Sequence, residues 1–300
     1  MPVRVHAESA VTLAGTLTLP DRGGRRRGAA SERVAAVVLV GGSGPQDRDG
    51  ARPELPGYAP WRDVSDALAT AGLAVLRLDD RGTGESTGRF AGATTEDFAH
   101  DAAAAVAWLR RQAMIDPARI AIVGHSEGAV VALLVARADP ALRALVLLGA
   151  PSRPGREIAR WQRDHLVRSD LARWPASERG AVLAAAEAEA EALATRDPWL
   201  REWFTLDPRT VASGIRQPVL LLHGETDQQV PPAHADELAA VLRRGGARVV
   251  QVQRVPDTDH LLLPDHDGDP QGYVRLAERR VRTGIITATT HFLSVHTARD

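Results

Sequence analysis

Ile120-Ala121-Ile122-Val123-Gly124-His125-Ser126-Glu127-Gly128-Ala129-Val130-Val131-Ala132-Leu133-Leu134 is the stretch on which the reading of this chain turns. Ile120 to Val123 is a short β-branched run of the kind that forms a buried strand, and Glu127 to Ala138 is a longer apolar pattern suited to a helix. Between them Gly124 to Gly128 spells G-x-S-x-G, a sharp strand-to-helix turn with a serine at its apex. A side chain held at such a turn crowds the positions two residues away, which is why small residues flank it on both sides. The helix start adds a second property: the Glu127 N–H and the positive end of the helix face any oxyanion formed at Ser126. The five-residue pattern is weak by itself and recurs at Gly84-Glu85-Ser86-Thr87-Gly88, but there Arg89 to Gly92 follow and no apolar helix does. Context makes Ser126 the candidate nucleophile and leaves Ser86 a structural turn.

Outward from this point the same grammar repeats. Val34 to Val40, Leu73 to Leu78, Ala144 to Leu148, Val219 to His223 and Val249 to Val255 read as further strands. Helical patterns cover Trp61 to Ala71, Thr95 to Arg111, Ala233 to Arg243 and Tyr273 to Phe292. Short apolar strands alternating with helices predict a mostly parallel, twisted sheet flanked by helices on both faces. The opening, Val3 to His6 and Val11 to Leu19, alternates in the period of two expected of an antiparallel pair, and Asp21 to Ala30 breaks it with Gly and Arg. From Ser152 to about Gly214 no strand is predicted, only helix-like sequence such as the alanine-rich Ala181 to Ala194. This predicts a core of residues 1–151 and 214–300 with a helical cap, or lid, of residues 152–213. The insertion holds Trp161, Trp174, Trp199 and Trp203, four of the six tryptophans. They could line an apolar pocket or simply glue the cap to the core.

A serine hydroxyl keeps its proton at neutral pH, so it needs a base, and the base needs an acid to fix its tautomer. Both are found after later strands, in the order acid then histidine. Gly224-Glu225-Thr226-Asp227 follows Val219 to His223, and Pro256-Asp257-Thr258-Asp259-His260 follows Val249 to Val255. Ser126, Asp227 and His260 are thus the candidate catalytic residues. Asp257 and Asp259 lie nearer His260 in sequence, but a neighbour on the same loop rarely curls back to meet Nδ1. Arg48, Asp80 and Arg81 are expected to form ion pairs that shape loops, and His125 to pack beside the sheet.

With these residues in place the chain resembles the bacterial carboxylesterases of the α/β-hydrolase superfamily, over nearly its whole length apart from the insertion. Gly41-Gly42-Ser43-Gly44-Pro45-Gln46-Asp47-Arg48-Asp49 is similar to the H-G-S-G-P-x-D-R-D loop of some of those esterases, with Gly41 where many have His. Asp79-Asp80-Arg81-Gly82-Thr83-Gly84-Glu85-Ser86 is similar to the superfamily's D-x-R-G-x-G-x-S turn. The resemblance implies an α/β-hydrolase fold and a small or medium ester as substrate. It also implies a second oxyanion N–H from the first loop, assigned to Ser43 with Gly42 as the alternative, beside that of Glu127.

Composition narrows the chemistry further. The chain has no Cys, and its 37 basic residues are all Arg. That removes thiolate nucleophiles, cysteine-ligated metals, Schiff-base lysines and a phosphate-loop lysine. A net charge of −1 gives no electrostatic reason to bind nucleic acid or an anionic membrane; the Arg25-Arg26-Arg27 run reads as a solvated loop. The apolar runs are too short to span a bilayer and the start lacks a signal peptide's order, so a cytoplasmic location is expected. Asp265-His266-Asp267 lacks metal-ligand spacing, and no metal or cofactor is expected. The expected reaction is hydrolysis of a carboxylic ester through an acyl-enzyme. Acyl transfer or acyl elimination on the same scaffold is the alternative, and a non-catalytic binding protein a third reading. Peptidase activity is poorly supported, for want of the propeller domain of the prolyl oligopeptidases. Sequence leaves the oligomeric state open.

Overall fold

A computed structural model describes residues 1–20, 33–170 and 175–299; the Arg25–Arg27 run and Trp174 lie outside them. Among the described residues eight strands form one sheet: β1 (Pro2–Glu8), β2 (Val11–Thr18), β3 (Val34–Val40), β4 (Ala74–Leu78), β5 (Ile115–His125), β6 (Ala144–Leu148), β7 (Val219–Gly224) and β8 (Val250–Val255). Their order is β1-β2-β4-β3-β5-β6-β7-β8. β1 and β2 pair antiparallel with each other, β2 pairs antiparallel with β4, and all other pairs are parallel.

Because strand side chains alternate, the sheet has two apolar faces and needs cover on each. Ile120 and Ile122 of β5 join one core with residues of α2 (Thr95–Arg110), α3 (Glu127–Ala138) and α8 (Ala233–Gly245). Ala121 and Val123 join the other, with α1 (Pro60–Thr70) and α9 (Thr283–His296). The chain leaves β3 for β4 on one side, then returns past β3 to β5 on the other. Loops leaving β3 and β5 therefore diverge, which opens a crevice at their carboxyl ends, the usual place for a ligand in an open parallel sheet. Ser126 and the Gly41–Asp49 loop both stand there.

Between β6 and β7 lie α4 (Gly155–Asp170), α5 (Ala176–Ala194), α6 (Pro198–Thr205) and α7 (Pro208–Ala212). Ala194, Trp203 and Phe204 form a small apolar cluster with Val130 of α3, while Val211 and Ala212 of α7 belong to the main core. No helix among the described residues is long and apolar enough to cross a membrane.

One predicted helix is wrong in its extent. The Tyr273 to Phe292 pattern gives a 3-10 turn at Pro270–Arg275 and then α9 from Thr283. The residues between are claimed by other loops: Val281 N–H donates to Asp63 Oδ2 at 3.0 Å, Arg282 N–H to the Leu262 carbonyl at 2.8 Å, and Arg280 pairs with Asp63 at 2.8 Å. Tertiary partners outbid the helix for those backbone donors.

Candidate active site

β5 ends in the turn that carries Ser126, whose φ of 54° is unfavourable for a residue with a Cβ. The turn survives because its neighbours are glycines. A Cβ on Gly124 would sit 2.1 Å from the Gly128 carbonyl oxygen, and one on Gly128 2.2 Å from that of Gly41. Ser126 N–H donates to the Leu148 carbonyl at 2.9 Å, tying the turn to β6.

His260 Nε2 lies 3.1 Å from Ser126 Oγ, and His260 Nδ1 lies 2.8 Å from Asp227 Oδ2. Asp227 is buried, and its other oxygen Oδ1 accepts the N–H groups of Gln229 at 2.9 Å and Val230 at 2.8 Å. Burial alone would push this carboxyl up. The charge of His260 and hydrogen bonds from His223 and His260 outweigh it and hold the group below the ordinary carboxylate range. Asp257 instead pairs with His266, and Asp259 Oδ1 accepts Leu263 N–H at 2.8 Å. Burial pushes the Asp259 carboxyl up to about 7. Of the three candidate acids, the structure brings Asp227 to the histidine ring.

The Gly41–Asp49 loop passes beside Ser126: a Cβ on Gly42 would lie 3.1 Å from Ser126 Cβ. Gly42 and Ser43 both line the cavity over Ser126. Gln46 Nε2 donates to the Gly42 carbonyl at 3.2 Å. In a planar trans peptide the C=O and N–H point opposite ways, so this bond aims the Ser43 N–H away from Gln46. Gln46 is itself fixed by Asp80, whose Oδ2 accepts Gln46 N–H at 2.8 Å and whose N–H donates to the Gln46 carbonyl at 3.0 Å. Arg48 pairs with Asp79 and Arg81 with Asp101, so these two charges hold loops together as expected, whereas Asp80 makes no ion pair among the described residues and holds its loop through the Gln46 backbone instead. Ser86 Oγ donates to the Asp79 carbonyl at 2.8 Å and stays within its turn.

The Glu127 side chain is buried, and its Oε1 accepts from Thr95 Oγ1 at 2.7 Å and from the Trp199 indole at 2.8 Å. That joins the elbow to α6. The cavity holds about 230 Å³ and is walled on the α4 and α6 side by Ile158, Ala159, Trp199, Leu200, Trp203 and Phe204. Trp199 and Trp203 stack with their ring planes 8° apart. Trp161 is not among the lining residues; it is 42% exposed, and its indole donates to the Gln228 carbonyl at 3.1 Å.

Sequence reasoning missed several residues of the site. His125, expected only to pack, donates from Nε2 to the His260 carbonyl at 2.7 Å, with ring centroids 4.8 Å apart. Burial, then the His260 charge, pushes His125 down to about 3, so it is neutral. It stands at the unspecified position of the elbow pattern, where no signal marks it. His223 Nε2 lies 3.2 Å from Asp227 Oδ2 and 2.8 Å from the Val230 carbonyl, a second histidine on the same carboxylate. Gln46, Arg52, Gln162 and Gln229 also line the cavity.

The sheet order, the elbow and the aligned serine, histidine and aspartate define an α/β-hydrolase. Residues 59–267 match the family described as serine aminopeptidase, S33, and the chain belongs to that family. Esterase EstD of Thermotoga maritima is 26% identical over 255 residues, 84% of this chain and 58% of that protein. An uncharacterized protein of Mycobacterium tuberculosis is 45% identical over 86 residues, 28% of this chain and 29% of that one. The chain thus spans less than two thirds of these relatives. Among solved structures it is similar to Est1E from Butyrivibrio proteoclasticus bound to ferulic acid, with a TM-score of 0.64, 16% identity and coverage of 99% of this chain and 100% of that one. The Pyrococcus furiosus esterase Pf2001 gives 0.65, 19%, 99% and 91%. At such identities the likeness is one of fold.

Proposed function

We propose that this protein hydrolyses carboxylic esters through an acyl-enzyme on Ser126. The observation that carries the proposal is the hydrogen-bonded line from Ser126 Oγ through His260 to Asp227, 3.1 and 2.8 Å, opening into a cavity with an apolar wall. His260 takes the hydroxyl proton as Oγ attacks, and Asp227 stabilises the imidazolium that results. The N–H groups of Ser43 and Glu127 receive the oxyanion, with the Gly42–Ser43 peptide oriented by Gln46. His260 returns the proton to the leaving alcohol, and the same base activates the water that opens the acyl-enzyme. The esterase name of the Thermotoga maritima relative supports this reading.

The family's description names a peptidase, and an aminopeptidase needs an anion to receive the free α-ammonium group. Among the described residues lining the cavity there is no Asp or Glu. That favours an ester over a peptide with a free amino end.

Hydrolysis in ¹⁸O-labelled water separates the reaction from its alternatives. Label is expected in the released acid, because the oxygen that opens the acyl-enzyme comes from solvent. An elimination would release the acid with both original oxygens, and a transferase would pass the acyl group to an added alcohol. Unlabelled acid overturns the hydrolase reading even with every residue placed as above.

We propose further that α4 to α6, in residues 152–213, form a lid that sets acyl length. Trp199 and Trp203 serve both purposes open to the cap tryptophans: Trp199 ties the lid to Glu127, and both line the cavity. A pocket methylene is worth about 1–3 kcal/mol, roughly 10–200-fold in kcat/KM. Trp203→Ala should therefore move the optimum of a 4-nitrophenyl ester series to longer acyl chains by a factor of that order, whereas Trp161→Ala should leave the length profile in place. A uniform loss in Trp203→Ala would mean that the ring only holds the lid.

A further inference from the structure

Among the described residues, the cavity over Ser126 has one permanently charged side chain on its wall, Arg52 from the loop between β3 and α1. The three glutamines of the same lining each donate to the protein itself. Gln46 donates to the Gly42 carbonyl at 3.2 Å, Gln162 to the Gln229 carbonyl at 3.1 Å, and Gln229 to Tyr273 Oη at 2.9 Å. Other arginines of this region hold carboxylates closely: Arg48 meets Asp79 at 2.6 Å and Glu85 at 2.7 Å, and Arg62 and Arg77 share Asp49. Arg52 differs. Among the described residues, the carboxylate within 4.0 Å of its guanidinium is that of Glu54, at a loose 3.6 Å and itself 57% exposed. The Arg52 side chain is 38% exposed, so it is partly covered by the protein and partly open. His125, held neutral chiefly by burial and the His260 charge, also feels the Arg52 charge, which therefore reaches the elbow.

A guanidinium presents a planar fork that matches a carboxylate through two parallel hydrogen bonds, and it stays charged at every working pH. On the wall of a cavity whose described lining residues include no Asp or Glu, it selects for negative charge and gives a cationic substrate nothing to hold. The opposite chemistry is supplied by α4 and α6, whose Ile158, Trp199, Trp203 and Phe204 offer hydrocarbon and aromatic surface. An ester with one apolar end and one anionic end satisfies both walls at once. We infer that the substrate of this site is an ester bearing a carboxylate or similar anionic group, received by Arg52, an inference that rests on the hydrolase reading of Ser126.

The test compares two ester pairs, each an anion and its neutral methyl ester. In one, mono-4-nitrophenyl adipate, the carboxylate is on the acyl side; in the other, 4-butyryloxybenzoate, it is on the leaving group. At low ionic strength the anion should have the higher kcat/KM in at least one pair, and the responding pair tells which end Arg52 receives. In Arg52→Gln the anion-to-neutral ratio of that pair should fall roughly tenfold or more, mainly through KM, while Arg52→Lys should keep part of it. A ratio that does not change in Arg52→Gln overturns the inference, since a merely structural arginine would lower both members alike and a solvated one neither. Neutral esters turned over without any preference for the anions would leave the hydrolase reading standing and remove this one. No turnover of any of the four by the unaltered protein would remove both.

Discussion

Ser126→Ala is expected to lower kcat for a simple ester by a factor on the order of 10⁶, the scale seen when the nucleophile of a coupled serine–histidine pair is removed. The residual rate would be that of water attacking an ester still held by the oxyanion N–H groups. The same change should abolish labelling by a fluorophosphonate probe, which requires an activated hydroxyl. Two other serines sit in suggestive surroundings, and the structure gives a reason for each to be inert. Ser86 Oγ accepts from Ala14 N–H at 2.9 Å and donates to the Asp79 carbonyl, and among the described residues no histidine bonds to it. Ser152 lies 2.8 Å from His234 Nδ1 and also bonds Glu237, a second serine, histidine and carboxylate grouping. It is fully buried, and its own N–H occupies His234 Nδ1 at 2.9 Å. Undiminished labelling of Ser126→Ala, or a labelled peptide containing Ser86 or Ser152, would show that the wrong serine has been chosen.

Asp227→Asn should lower turnover by about 10⁴ through the wrong histidine tautomer. The reason is specific to this loop. Gln229 and Val230 donate their N–H groups to Asp227 Oδ1, so an asparagine must keep its carbonyl oxygen there and turn its NH₂ toward His260 Nδ1. That donor forces the His260 proton onto Nε2, where it faces Ser126 Oγ and cannot accept. Asp259→Asn is the informative comparison. Burial already pushes that carboxyl up to about 7, so a neutral amide of the same shape changes little near neutral pH. Kinetics on both folded variants decide between them, and a greater loss of kcat in Asp259→Asn would reverse the assignment.

Much of the fold was legible because each signal is short-range. β6, β7 and the Ile120 to Val123 part of β5 are buried on both faces and so read as unbroken apolar runs, and α3 follows Ser126 without a linker. Gly124 and Gly128 were legible as requirements of a turn, and the atoms they spare, the carbonyls of Gly128 and Gly41, explain them. The segment from Tyr273 to Phe292 was not, since its apolar pattern suits a helix and only Asp63 and Leu262, distant in sequence, divert residues 281 and 282. The cap tryptophans were ambiguous for the same reason. Composition shows that four are there, but whether a ring faces the cavity, as Trp203 does, or the Gln228 carbonyl, as Trp161 does, depends on how α4 and α6 settle on α3.

The sequence by itself determined the class of this protein and singled out Ser126, Asp227 and His260 as the candidate catalytic residues, because each is marked by its position just beyond a strand and by the order of those strands. Tertiary structure alone decided what surrounds them. It set His125 against His260, His223 against Asp227, Gln46 under the Gly42 carbonyl and Arg52 on the cavity wall. None of these carries a local mark, since a histidine, glutamine or arginine has the same neighbours in sequence whether it faces solvent or a reacting group. What gives them a role is a distance of a few ångströms across the switch point of the sheet, where loops far apart along the chain converge.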